Sequence, residues 1–120
     1  MHGANLGTLL RTCDAVGACL AVPRLPWVPD ALARGNTLRR RSAGSWVVGV
    51  ELADEAVRLA DLPAARRRTV AVLGHEQSGI PPEAIEFVDV AVEIPMIGTG
   101  ASLNVAVAGS LVLYRLAGFL

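Results

Sequence analysis

A chain of 120 residues, 52% of them hydrophobic and with a formal net charge of zero, is the size of one ordinary domain that buries a core without help. Zero net charge leaves no whole-molecule field that would mark a general nucleic-acid binder. The fixed basic side chains are all arginine, whose planar fork suits phosphate, and two runs stand out, Arg39-Arg40-Arg41 and Arg66-Arg67-Arg68. Cys13 and Cys19 are too few for a disulfide framework and are not spaced as a metal knuckle, so both are expected as reduced, buried thiols and no metal is expected. The opening residues lack a basic region followed by an apolar run, so no signal peptide is expected. The apolar last helix contains Tyr114 and Arg115 and is too short to span a bilayer comfortably. The expectation is a cytoplasmic protein with no membrane partner.

In chain order, Leu6, Leu9, Leu10, Cys13 and Val16 recur at helical spacing and predict a helix over Asn5 to Val16, stopped by Gly17. Ala18 to Val22 reads as a short buried strand, after which Pro23, Pro26 and Pro29 break the chain. Asn36 caps a possible turn over Thr37 to Arg41. Trp46 to Val50 is a second strand. Ala53 to Ala60 reads as a surface helix, Asp61 to Arg68 as a basic connection, and Thr69 to Leu73 as a third strand. A loop from Gly74 to Pro82 leads to a short helix at Glu83 to Glu86 and a fourth strand at Val88 to Ile94. A turn holding two glycines and a proline then joins that strand to a long helix starting near Leu103, for which Ser102 and Asn104 are candidate caps. That helix is apolar on nearly all sides, which places it in a core or against a partner.

Strands that are continuous apolar runs and alternate with helices predict an α/β fold with a parallel sheet covered on both faces. In such sheets ligands bind outside the carboxyl ends of the strands. The loops leaving Leu73 and Ile94 are therefore where a site is expected. A sheet of this kind usually opens with a strand, whereas this chain begins four residues before a helix.

Three stretches carry chemistry. The first is Asn5-Leu-Gly-Thr-Leu-Leu-Arg11, in which Gly7 permits close approach of another backbone and Arg11 lies near the same face. The second is Val72-Leu-Gly-His-Glu-Gln-Ser-Gly-Ile80, an apolar strand end with Glu76 behind Gly74. The third is Ile94-Pro-Met-Ile-Gly-Thr-Gly-Ala-Ser-Leu-Asn104.

Together, in this order and at these separations, they resemble the SpoU/TrmH branch of the SPOUT superfamily, ribose 2′-O-methyltransferases of RNA that use S-adenosylmethionine. The resemblance covers essentially the whole chain. It implies a SPOUT-type parallel sheet sandwiched by helices, with a C-terminal deep trefoil knot, a rare exception to the rule against threaded chains. Against that pattern the usual first strand is lacking, so residues 1–120 read as an N-terminally truncated cofactor-binding and catalytic domain. The resemblance further implies S-adenosylmethionine held mainly by backbone groups at Gly74, Ile94 and Leu103, with Leu73 and Met96 beside them. It implies an Arg11 required for catalysis, a site shaped by Asn5, Glu76, Ser102 and Asn104, a homodimer formed through the terminal helices, and tRNA or rRNA as substrate.

Methyl transfer from a sulfonium is an in-line displacement that needs no metal, only an oxygen held close to the methyl carbon and aligned with the breaking bond. Positioning of that kind can supply about 7–11 kcal/mol of the barrier. A guanidinium with a pKa above about 12 is seldom neutral, so Arg11 is better read as a cation that binds the neighbouring phosphate and stabilises the developing alkoxide. The proton acceptor is then Glu76 or the phosphate, and the sequence does not choose between them.

Plainer readings stand beside these. Arg11 can be a solvated helix charge, Glu76 a cap or an ion-pair partner, and Asn5, Ser102 and Asn104 simple caps. His75, Gln77 and Ser78 have no assigned role. Arg39 to Arg41 can face RNA or solvent, Arg66 to Arg68 lie at the opposite end of a strand from the ligand edge, and Trp27 and Trp46 suit core or interface packing. The alternative function is a non-catalytic module that binds RNA or S-adenosylmethionine on the same fold.

Overall fold

A computed structural model describes residues 3–20, 44–51, 55–74, 79–98 and 103–120. The elements are helix α1 (Gly3–Val16), strand β1 (Trp46–Val50), strand β2 (Val57–Arg58) with a single 3-10 turn at Leu59–Asp61, strand β3 (Thr69–Leu73), helix α2 (Pro82–Ile85), strand β4 (Val90–Glu93) and helix α3 (Val105–Leu116). The strands form one sheet in the order β2-β4-β1-β3. Every pairing is parallel, with Trp46 opposite Thr69, Val48 opposite Val90 and Val57 opposite Val92.

The predicted apolar runs form this sheet around β1, whose middle residues are buried on both faces. Successive side chains along a strand point to opposite faces, and β1 shows the consequence. Val48 joins Val92, Leu62, Val112 and Leu116 in a core cluster beneath α3. Gly49, pointing the other way, has Val88 and the Ile80 Cδ1 at 3.0 and 3.1 Å from where a Cβ would stand. The ladder starts at a fixed point: the Asp89 carboxylate accepts from the Val47 amide at 2.8 Å, while the Asp89 amide donates to the Val47 carbonyl at 2.8 Å.

Helix α1 buries Leu6, Leu9 and Cys13, the 3- and 4-residue spacing of one helical stripe, and ends at Gly17 with φ +77°. Helix α3 lies across β3 and β1 and packs against α1. Its C-terminal turn is tied down by Arg115, whose Nε donates to the Leu62 carbonyl at 2.6 Å and Nη2 to the Ala60 carbonyl at 2.7 Å. The Ala65 amide adds a bond to the Leu116 carbonyl at 2.8 Å. Among the described residues no helix is long and apolar enough to cross a membrane.

Several expectations need correction. Ala18 to Leu20 is irregular rather than strand, because the Ala18 amide donates back to the Cys13 carbonyl at 2.8 Å and closes α1; Ala21 and Val22 lie outside the described residues. Of the stretch read as a helix over Ala53 to Ala60, residues 57–60 are β2 and the start of the 3-10 turn, while residues 53 and 54 lie outside the described residues. The free edge of β4 recruits Val57 and Arg58 into its ladder, and Leu62 behind them is fully buried. The short helix begins at Pro82 rather than Glu83, as suits a proline in a first turn. The last strand is trimmed to Val90–Glu93. Cys13 is buried as expected, but Cys19 is exposed. Trp46 packs against the core cluster, whereas Trp27, the possible turn at Thr37 to Arg41 and the arginines at 39–41 lie outside the described residues.

Two outcomes follow from this packing. Leu9 is fully buried, and Leu9→Ala is expected to lower the unfolding free energy by about 2–5 kcal/mol, read as a shifted urea midpoint at unchanged slope. Burial, and then the nearby Cys19, push the Cys13 thiol above its ordinary value of 9.0. A maleimide is therefore expected to modify Cys19 in the folded protein and Cys13 only on unfolding, counted by mass. Because the folded value is raised, the stability linked to a neutral Cys13 is present below the ordinary thiol range and lost as pH rises through the raised value.

Candidate functional site

The carboxyl ends of β1, β3 and β4 deliver Glu51, Gly74 and Ile94 to one edge of the sheet. Asn104, at the start of α3, joins that edge to α1. Its extended backbone (φ −54°, ψ 135°) makes it the N-cap. Its side-chain oxygen accepts from the Ala106 amide at 2.8 Å and the Val107 amide at 3.3 Å. Its Nδ2 donates to Asn5 Oδ1 at 3.0 Å across 99 residues of sequence. Asn5 is itself buried, at 8% exposure.

Two further contacts fix α1 on α3. Gly109 leaves no room for a side chain: a Cβ there would stand 2.7 Å from Leu73 Cδ1 and 2.9 Å from Leu9 Cδ2. The hydroxyls of Thr12 and Ser110 share a hydrogen bond of 2.7 Å. Asn5 with Asn104, Leu9 with Gly109 and Thr12 with Ser110 ascend both helices together, so α1 and α3 run parallel.

The same contacts decide where Arg11 points. At 3.6 residues per turn it lies roughly 160° around α1 from Leu9, and its side chain is 88% exposed with a loose 3.9 Å contact to the equally solvated Asp14. A pair so exposed holds little. Gly7 shares that outward face and has nothing within 4 Å of its Cβ position, so the close approach expected there is not made among the described residues.

Of the positions expected to hold a cofactor, Leu73 turns its side chain into the contact with Gly109. Gly74 is packed against its own chain: a Cβ there would stand 2.5 Å from the Ile80 amide nitrogen and 2.9 Å from Gly79 Cα. Ile94 is half-buried against the core cluster, Leu103 is half-buried, and Met96 is 40% exposed. Glu76 and Ser102 lie outside the described residues, as do His75, Gln77 and Ser78. A cavity of about 300 Å³ beside Ile94 and Pro95 is lined by Leu59, Ala60, Arg115 and Leu120. It shares only Ile94 with the expected set, and neither Asn5 nor Asn104 lines it.

Sequence reasoning missed Glu51. Its carboxylate accepts from the Ile80 amide at 3.1 Å and closes over Gly79, which has φ +72° and no space for a Cβ beside that oxygen. The available signal was a lone acid directly after the apolar run Trp46 to Val50, at the edge where ligands bind in such sheets.

A four-stranded parallel sheet packed with helices, its carboxyl edge gathering strand ends and polar groups, defines an α/β domain. This chain belongs to the SpoU rRNA Methylase family, whose family model matches residues 34–114. It is 33% identical over 135 residues to mouse tRNA (guanosine(18)-2′-O)-methyltransferase TARBP1, an alignment covering 92% of this chain and 8% of that one. It is 29% identical over 131 residues to the tRNA (guanosine(18)-2′-O)-methyltransferase of Aquifex aeolicus, covering 92% of this chain and 62% of that one. The AdoMet-bound rRNA methyltransferase of Sinorhizobium meliloti superposes with a TM-score of 0.77 at 29% identity, over 97% of this chain and 52% of that one. The chain thus spans less than two thirds of the curated relatives it matches.

Removing the Asn104 side chain takes away a cap and the tie to Asn5 together. Asn104→Ala is expected to cost about 1–2 kcal/mol of stability in urea titration, the upper range for a lost N-cap. Asn104→Ser, which can cap but is too short to reach Asn5, is expected to recover only part of it.

Proposed function

We propose that this protein is an S-adenosylmethionine-dependent RNA methyltransferase that methylates a ribose 2′-hydroxyl of tRNA or rRNA. The observation that carries the reading is the hydrogen bond from Asn104 to Asn5, which joins the first and third sequence motifs at the carboxyl edge of a parallel sheet. Family membership and the methyltransferase names of the relatives support it.

The residues at that edge suit the cofactor. Backbone groups of Gly74, Ile94 and Leu103 would hold its polar parts, and the apolar side chains of Ile94, Leu103 and Met96, half-buried or exposed there, offer surface to its adenine. When bound, S-adenosylmethionine supplies the electrophilic methyl carbon. Arg11 contributes positive charge, holding the phosphate beside the target ribose and stabilising oxygen as it loses its proton. Glu76 or that phosphate takes the proton. Asn5, Ser102 and Asn104 shape the site, and a threaded C-terminal segment, the trefoil knot of the SPOUT pattern, holds the loops together. The domain belongs to a longer enzyme in this reading and works in the cytoplasm.

The assembly is a homodimer through α1 and α3. Within one chain Arg11 faces away from Asn104, so it acts across the interface, at the strand edge of a second copy. Gly7 and Leu10 on that outward face of α1, and the exposed Val107 and Tyr114 of α3, provide close approach and apolar area for it.

Labelled-methyl transfer onto tRNA and rRNA tests the reading. Arg11→Ala is expected to lower transfer by about 100-fold or more, the scale for losing one stabiliser of a developing oxyanion, while calorimetry finds cofactor affinity unchanged. Transfer insensitive to Arg11→Ala overturns the role of Arg11. Wild-type protein that binds cofactor yet methylates no RNA points to the non-catalytic module instead.

A further inference from the structure

Glu51 ends the central part of the sheet, one residue beyond β1, with β4 on one side and β3 on the other. Among the described residues it makes no helix cap or ion pair; its carboxylate turns to the chain that follows β3. Oε1 accepts from the Ile80 amide at 3.1 Å. That amide nitrogen is also the atom lying 2.5 Å from where a Gly74 Cβ would stand. A single peptide group is therefore held on one side by Glu51 and pressed on the other against the α-carbon of Gly74. Gly79, just before it, is confined twice over, by φ +72° and by the Glu51 oxygen filling the space of a Cβ.

We propose that Glu51 is a positioning residue for the cofactor: through the Ile80 amide it fixes the backbone of Gly74, which presents its peptide groups at the sheet edge. The proposal rests on the cofactor-binding reading of that edge. Three features make the arrangement specific to this task. Gly74 directly follows β3, so its place in the sheet is set on one side by the ladder through Leu73 opposite Val50. Where the described chain resumes at Gly79, the next amide, that of Ile80, has the Glu51 carboxylate as its acceptor. Both glycines admit only bare backbone, so the fixed geometry is that of peptide groups, the kind of group expected to bind the cofactor there. Glu51 does not touch the reacting atoms in this scheme.

The acceptor oxygen, rather than the charge, does the positioning, and substitutions separate the two. In the purified protein, Glu51→Gln keeps an oxygen at the same reach and is expected to bind S-adenosylmethionine within about threefold of wild type. Glu51→Ala removes the acceptor and is expected to weaken binding about tenfold or more, since a buried amide left without its partner costs roughly that much. Transfer at saturating cofactor should fall far less, so the loss appears in KM for the cofactor and not in kcat. Hydrogen exchange at the Ile80 amide provides an independent readout: protected in wild type and Glu51→Gln, fast in Glu51→Ala. Unchanged cofactor affinity in Glu51→Ala overturns the role, and so does a Glu51→Gln protein as impaired as Glu51→Ala, which would assign the effect to charge. Wild-type protein with no affinity for S-adenosylmethionine removes the functional reading and this role together, and is recognised because no variant is then needed to see it.

Discussion

The arrangement hangs on one side-chain amide. Asn104 uses its oxygen to close the first turn of α3 and its nitrogen to reach Asn5 in α1. Each bond is worth about 0.5–1.5 kcal/mol in net stability, less than the roughly 2–5 kcal/mol expected for truncating Leu9. Its effect is directional. Apolar contacts between two helices tolerate small slips and rotations, whereas a part-buried amide whose partner is displaced loses its bond and keeps its desolvation cost. Asn104 therefore selects one setting of α1 on α3 from the several that packing alone would allow.

The rest of α3 reinforces that choice. Gly109 lets Leu9 and Leu73 close over its bare backbone, and the Thr12 and Ser110 hydroxyls add a second polar rung one to two turns further along. At the far end Arg115 spends its donors on the carbonyls of Leu62, Ala60 and Leu120. A helix pinned by polar bonds at both ends and packed on its sheet face carries its N-terminus to the strand edge without freedom to swing. That rigidity is what a positioning mechanism requires, because transfer geometry is sensitive to displacements of about 1 Å.

A division of labour within α1 follows. Asn5, Leu9, Thr12 and Cys13 attach the helix to its own chain, and Gly7, Leu10 and Arg11 are left outward. A helix so divided keeps one face for its own chain and, under the proposed function, offers the other to a second copy. The fixed face transmits the position of the sheet edge, and the outward face carries the cation that the proposed chemistry needs to wherever a second surface meets it.

Much of the fold was legible in the residues. The apolar runs Trp46 to Val50 and Thr69 to Leu73 matched their strands residue for residue; for β1, buried through Val47, Val48 and Gly49, the reason is that a strand covered on both faces leaves an unbroken apolar trace. Of the residues at helical spacing, Leu6, Leu9 and Cys13 form the buried stripe of α1, Leu10 is exposed and Val16 only half-buried, and Gly17 marks its end. Val57 and Arg58 could not be read as strand, since two residues carry no period and their pairing is supplied by the open edge of β4. Ala18 to Leu20 misled for the complementary reason: an apolar run suggests a strand only if its amides are free, and the first of them was already committed to closing α1.

For the site, the sequence by itself determined which groups are present and in what order: the asparagine, glycine and arginine of the opening helix, the glycine after β3, the asparagine at the head of α3. Local chemistry was enough for that, since caps, turns and apolar periods act over a few residues. Tertiary structure alone decided that Asn5 and Asn104 meet, that Arg11 faces away from them, and that Glu51 bonds the Ile80 amide. Those are distances between segments far apart along the chain, fixed by how the helices and strands pack, and no local pattern encodes them.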